Sequence, residues 1–156
     1  MTGDSTRAVS TAITHPLTLA ITALLISTLL FGAGELLEDQ KNRAAREQLS
    51  EIGSDVVSQI EHLDSLNGTG ESVNASVRPT YPDRVAGEEY SINITGDSDS
   101  FPFETSHAVS VDSPALDQPV QFPVETEATL DTTASAQGAP VEVCLRDGTI
   151  DLGRDC

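Results

Sequence analysis

The stretch PLTLAITALLISTLLFGAGELL, residues 16–37, decides how this chain is built. Leu, Ile, Ala and Thr dominate it, and the 27 residues from Ala8 to Gly34 carry no formal charge. A bilayer core about 30 Å thick needs roughly 20 such residues in a helix. A removable secretory signal has a shorter apolar stretch of about 7–15 residues. The sequence therefore favours a retained transmembrane helix assigned to residues 9–37. Continuous helix is expected from about Pro16, which suits a first turn because its missing amide leaves no bond unmade there.

Small hydroxyl residues recur every four positions in this helix, at Thr14, Thr18 and Thr22. A stripe of this kind lets two helices approach closely in lipid and form hydrogen bonds across their interface. Threonine in a membrane helix also commonly bonds to the carbonyl of its own preceding turn. The sequence does not decide whether these threonines pack against another helix or bond to the backbone of their own helix.

The charge lies outside the apolar stretch. The 156 residues have 8 Lys and Arg against 25 Asp and Glu, a net charge of −17, yet residues 1–34 contain one acid and one base. Nucleic-acid binding is excluded as a function, because it depends on an excess of Lys and Arg. With a single lysine and abundant carboxylate, the soluble part is typical of a protein from a salt-rich environment, where screening removes its self-repulsion.

Residues 38–66 predict an amphipathic stalk helix that continues the membrane helix and ends near Asn67-Gly68. The segment has no proline, and its apolar residues recur at steps of three and four. They are Ala45, Leu49, Ile52, Val56, Ile60 and Leu63. This face can pack on a sheet, in a two-helix hairpin or in a dimeric coiled coil; we expect it to close the core of a sheet.

After a predicted loop at residues 67–77, residues 78–156 form an acidic head with alternating apolar and polar residues. Asp147-Gly148 predicts a two-residue hairpin, and Pro123 predicts an edge strand. Residues 134–139 are expected to form another loop. The fold class is thus α+β: a long N-terminal helix, transmembrane and then amphipathic, with a small antiparallel sheet or sandwich of five to seven strands.

The side of the membrane on which the head lies is contested. Lys41, Arg43 and Arg46 follow the span and favour a cytoplasmic head by the positive-inside rule. Against this, three of the four asparagines lie in glycosylation sequons. These candidate sites are Asn67, Asn74 and Asn93. We expect an extracellular head on a single-pass protein of the cell membrane.

The two cysteines, Cys144 and Cys156, suit an oxidising compartment and are candidates for a disulfide, with free thiols or intermolecular pairing as alternatives. The three histidines, His15, His62 and His107, lack metal-ligand spacing. Neither a phosphate-binding glycine loop nor a nucleophile elbow occurs. We predict no metal site, no cofactor and no enzymatic activity.

The segment Arg7-Ala8-Val9-Ser10-Thr11, directly before the apolar helix, resembles the class III signal peptide of archaeal type IV pilins. With residues 15–19 and 32–46 it makes the chain similar to uncharacterised haloarchaeal pilin-like membrane proteins. The resemblance implies a leader, residues 1–8, that a prepilin peptidase cuts between Ala8 and Val9. It also implies other pilin-like subunits as partners through the N-terminal helix.

Two functions follow as hypotheses. The first is a pilin-like structural or assembly component of an archaeal type IV filament or related secretion apparatus, found in the membrane and in a surface filament. The alternative is a single-pass envelope protein that does not polymerise and whose β head is a binding module. The two hypotheses are separated by whether sheared surface filaments contain the chain that starts at Val9.

Overall fold

The computed structural model describes residues 5–67, 73–96 and 105–153, with the side chains of the helix described from Pro16 onward. The chain divides into two compact units, residues 1–40 and residues 41–156; the second is called the head unit below. One helix and two four-stranded sheets make up the described part, which confirms the α+β fold class.

A single helix, α1, runs Ser5–Asn67 and has Pro16 inside it. The expectation that Pro16 opens the helix is therefore wrong, since the helix begins eleven positions earlier. Proline removes one backbone hydrogen bond from a helix interior. Membrane helices tolerate this because local adjustments and neighbouring groups satisfy the freed carbonyl. The described helix reaches Asn67, and since residues 68–72 lie outside the described part, the predicted end near Asn67-Gly68 stays a prediction.

The described strands number eight, and five of them contain five or six residues. The strands are β1 Ala75–Val77, β2 Ser91–Thr95, β3 His107–Asp112, β4 Val120–Val124, β5 Thr129–Leu130, β6 Ser135–Gln137, β7 Glu142–Arg146 and β8 Thr149–Gly153. One sheet has the order β1-β7-β8-β5 and the other β4-β3-β2-β6. All pairings are antiparallel except β5 with β8, which is parallel.

Two segments expected to be loops contain strands. Within residues 67–77, Ala75–Val77 forms β1 and pairs with β7. Within residues 134–139, Ser135–Gln137 forms β6 and pairs with β2. A strand of three residues is too short to show a period, so its pairing depends on the longer neighbour that supplies the hydrogen bonds. These short edge strands also bring the number of strands above the expected five to seven.

The hairpin and the edge strand predicted from turn chemistry are both found. Asp147 and Gly148 have φ angles of 48° and 78°, and they join β7 to β8 through the pair Arg146–Thr149. Positive φ at both central residues is the backbone that a right-twisted two-residue hairpin requires. Pro123 lies in β4, at the edge of its sheet, where a missing amide costs no internal hydrogen bond.

The apolar face of α1 closes the core of the head unit. All six predicted face residues are between 0% and 6% exposed and belong to one cluster with the apolar residues of both sheets. The sheets, rather than a hairpin partner or a second helix, therefore cover this face within the chain. The strands β3 and β7 are buried on both faces over most of their length, so they are more enclosed than the alternation predicts.

Gly53 lets the helix approach the sheet closely. A Cβ at this position would lie 2.2 Å from Cε2 of Phe122 and 3.0 Å from Cγ2 of Val111. A glycine in a helix interior costs roughly 0.5–1 kcal/mol relative to alanine. Here the missing side chain is the space that the Phe122 ring occupies.

Candidate functional site

The first candidate surface is the apolar part of α1. Every exposed large hydrophobic side chain in the described part of the chain lies between Leu17 and Leu37, with exposed fractions from 51% to 83%. Among the described residues, α1 is the one helix long and apolar enough to cross a membrane by length and composition. Water is a poor solvent for such a surface, since burying it is worth about 25 cal/mol per Å².

The hydroxyls of this helix bond to its own backbone. Thr22 donates to the carbonyl oxygen of Thr18 at 2.8 Å, and Ser27 donates to that of Ala23 at 2.8 Å. The Thr22 hydroxyl therefore bonds to the backbone of its own helix, and the Thr22 side chain is exposed on the helix surface. The side chain of Thr14 lies outside the described residues. Helix packing through this stripe stays a prediction.

The predicted leader junction lies within the backbone of α1. Arg7, Ala8 and Val9 are all helical, and their side chains fall outside the described part. Cleavage between Ala8 and Val9 stays a prediction.

Of the three sequon asparagines, Asn74 is exposed and Asn67 and Asn93 are partly exposed. Asn67 is the last residue of α1, and Asn74 immediately precedes β1. Asn93 lies in the middle of β2, paired with Ser110 of β3 and Ser135 of β6. Attachment of glycans at these sites stays a prediction.

Cys144 is disulfide-bonded and only 2% exposed on β7, where it lies opposite Asp151 of β8 as the hairpin register predicts. The chain's other cysteine, Cys156, lies outside the described residues. Of the histidines, His62 is exposed on α1 and His107 begins β3. The described residues contain no group of three or more His, Cys, Asp or Glu side chains arranged to hold a metal ion.

The second candidate surface is a cleft of about 770 Å³ in the head unit, which sequence reasoning missed. One wall is an exposed flank of α1 and the other is the segment 80–82. The polar residues that line it include Gln48, Glu51, Ser54, Asp55, Ser58 and Tyr81. None of the lining residues is basic, so the cleft is anionic.

A hydrogen bond fixes the two walls to each other. The Tyr81 hydroxyl donates to Oδ2 of Asp55 at 2.6 Å. Burial, followed by this bond to a carboxylate, raises the pKa of Tyr81 above its usual value near 10. The hydroxyl therefore remains protonated and keeps donating. The sequence indicates only the helical wall of the cleft, where acidic residues repeat every four positions at Glu47, Glu51 and Asp55. The tyrosine of the other wall is 26 positions away from Asp55, and no sequence pattern connects the two.

Comparison with known families gives one match. Residues 4–152 match the family DUF7266, a family of unknown function. The chain belongs to the DUF7266 family. No curated protein and no solved structure matches it. The DUF7266 match extends from the start of α1 through most of β8, so the family is defined by the apolar helix together with the β strands.

Proposed function

We propose that this chain is a pilin-like structural or assembly component of an archaeal type IV filament or a related secretion apparatus, without catalytic activity. The observation that carries the proposal is the segregation of apolar surface. The large exposed hydrophobic side chains of the described residues all lie on α1 between Leu17 and Leu37. A lipid bilayer covers this helix before assembly, and neighbouring helices of the same kind cover it afterwards.

The closed core of the head unit supports a role for the helix in assembly. The apolar face of α1 from Ala45 to Leu63 packs on the two sheets, and its residues Leu49, Val56 and Ile60 are 0% exposed. The sheets thus bury their own apolar faces with α1. The described residues bury no part of the apolar segment between Leu17 and Leu37.

The N-terminal motif supports processing by a prepilin peptidase. The basic Arg7 followed by Ala8 and Val9 stands directly before the apolar helix. Removal of residues 1–8 gives a helix that starts at Val9 and carries one fewer base at its membrane end.

The sequon asparagines, none of which is buried, and the disulfide-bonded Cys144 support an extracellular head. Since the head carries most of the acidic residues, we expect it to fold best at high ionic strength, as in a haloarchaeal envelope.

The test is intact mass measurement of the full chain from two fractions of the same cells, membranes and sheared surface filaments. We expect a chain that starts at Val9 in the filaments. A chain that keeps Met1 or Thr2 and occurs only in membranes would contradict the proposal. The matched control is Arg7→Ala together with Ala8→Leu, which removes the cleavage motif and should leave the uncleaved chain in the membrane fraction alone.

The anionic cleft supports a second candidate, a single-pass envelope protein that does not polymerise and binds a partner through its head. Its volume of about 770 Å³ is within the usual size range of ligand sites, roughly 300–1,000 Å³. Full-length chain in membranes and never in filaments would favour this candidate.

A further inference from the structure

The exposed Arg46 of α1 has no charged partner among the described residues. The residues three or four positions away are Asn42, Arg43, Leu49 and Ser50, none of them acidic. Helical neighbours at this spacing are the ones that form ion pairs. Arg46 also makes no ion pair with any other residue in the ranges 16–67, 73–96 and 105–153. Lys41 and Arg43 of α1 also form no ion pair in these ranges, but each has an acid three or four residues away, whereas Arg46 has none.

The opposite situation occurs in the cleft of the head unit. Glu51 is exposed, and it lies four residues from Asp55, so two like charges are helical neighbours. Such a pair is destabilising by a few tenths of a kcal/mol. Tyr81 satisfies one oxygen of Asp55 but brings no positive charge. The cleft thus has two carboxylates and no base among its lining residues.

The helix geometry places these two features on opposite flanks. Arg46 and Asp55 are nine positions apart, which is two and a half turns at about 3.6 residues per turn. Their side chains therefore leave the helix about 180° apart, and their levels along the axis differ by about 13.5 Å. Glu51 lies on the same flank as Asp55, about 40° around the helix from it. Between these flanks the face with Leu49 and Val56 is buried against the sheets.

We propose that Arg46 of one copy binds in the cleft of a second copy, between Glu51 and Asp55. A parallel copy displaced sideways without rotation turns its Arg46 flank toward the cleft. A stagger of about 13.5 Å along the axis brings the guanidinium level with Asp55. This inference rests on the proposed assembly function and names the contact through which copies recognise each other.

Both the chemistry and the symmetry of this contact suit assembly into a fibre. The planar guanidinium can donate two parallel hydrogen bonds to a carboxylate, which a lysine ammonium cannot do. The arginine and the cleft are different surfaces of the same chain, so each copy presents both. A contact of this head-to-tail kind does not close on itself after two copies and repeats along a fibre. Arg43 is the natural control, because Asp39 and Glu47 lie four residues before and after it.

Charge reversal in the full-length chain tests the contact. We expect Arg46→Glu and Glu51→Arg each to lower the amount of chain in sheared filaments at least tenfold, and the double variant to recover most of it. Arg43→Glu should leave the amount within about twofold of wild type. Asp55 is left unchanged because its bond to Tyr81 holds the cleft wall.

Cross-linking gives a direct measurement of the same contact. Two differently tagged chains, one with Arg46→Cys and one with Glu51→Cys, are produced together and treated with a short bis-maleimide. Mixed dimers are expected, with few dimers of either chain with itself. Self-dimers of the Arg46→Cys chain as the main product would instead show a symmetric contact and overturn the inference.

The outcomes separate this inference from the proposed function. Wild-type chain absent from filaments refutes the assembly function. Wild-type chain present in filaments, with Arg46→Glu equally abundant, overturns the Arg46 contact alone. Loss in both single variants without recovery in the double variant also overturns it, because the loss then comes from some other defect.

Discussion

Replacing Gly53 by alanine tests how closely the sheets pack on α1. A Cβ here would lie 2.2 Å from Cε2 and 2.7 Å from Cδ2 of Phe122. Carbon atoms that are not bonded pack at about 3.5–4.0 Å. The ring must therefore move by about 1.3 Å or more, away from a helix backbone that cannot yield. Val111, the next nearest side chain, is fully buried and has a stiff β-branched shape.

Two effects of opposite sign set the magnitude. Alanine is favoured over glycine in a helix interior by about 1 kcal/mol. Adding a methyl group to a filled site costs about 1–3 kcal/mol. The overlap with Phe122 is large, so we take the upper part of that range. Gly53→Ala should then lower the free energy of unfolding of the head unit by about 1–2 kcal/mol.

Urea unfolding of the full chain in detergent micelles, followed by near-UV circular dichroism of tyrosine, measures this change. The chain has two tyrosines and no tryptophan, and both Tyr81 and Tyr90 lie in the head unit. The decisive control repeats the substitution in a Phe122→Ala background. Without the ring, Gly53→Ala should raise the free energy of unfolding by about 0.5–1 kcal/mol, since the helix propensity remains. An equal loss in both backgrounds, or a gain in wild type, would refute the reasoning.

Three further predictions concern the head unit and the apolar part of α1. Burial raises the pKa of Tyr81 and of Tyr90 above its usual value near 10, so the folded state retains both protons. The stability that they contribute is complete below about pH 10 and is lost as the pH rises above it. The urea midpoint should therefore be level from pH 8 to about pH 10 and fall from there to pH 11, less steeply in Tyr81→Phe. The carboxylate of Asp64 accepts the backbone amides of Glu127 at 3.1 Å and Ala128 at 2.8 Å. Asp64→Ala should therefore lower the free energy of unfolding by about 1–3 kcal/mol in the same assay, and Asp64→Asn should lower it less. Equal losses in the two variants would contradict this. Leu24→Arg replaces a favourable leucine by a charge in the exposed apolar helix and costs about 3–4 kcal/mol of insertion free energy, so the membrane-bound fraction should fall, whereas Leu24→Ile should leave it unchanged.

Much of the fold was predictable because it depends on local patterns. The apolar face from Ala45 to Leu63 repeats at helical spacing, and the same side chains are buried in the structure. Asp147-Gly148 required a tight hairpin whatever its surroundings, because its chemistry favours positive φ. The short strands β1, β5 and β6 were not predictable. They pair only where a longer strand supplies hydrogen-bond partners, and two or three residues do not define a period.

The candidate cleft was beyond sequence reasoning for a similar reason. Asp55 and Tyr81 are separated by 26 positions, and neither belongs to a recognisable motif. The sequence also left Gly53 unexplained, since a glycine in a helix is destabilising by itself. The structure explains Gly53, because the ring of Phe122 from β4 occupies the space that a side chain at this position would need.

The sequence by itself determined that the chain has an uncharged apolar helix, an amphipathic continuation and an acidic head, because lipid solubility and hydrophobic periodicity are properties of consecutive residues. The tertiary structure decided what the amphipathic face packs against and which of its flanks remain exposed. That choice depends on residues distant in the chain. Two sheets bury one face of α1, Arg46 on one flank makes no ion pair with the described residues, and the segment 80–82 completes an anionic cleft on the other flank.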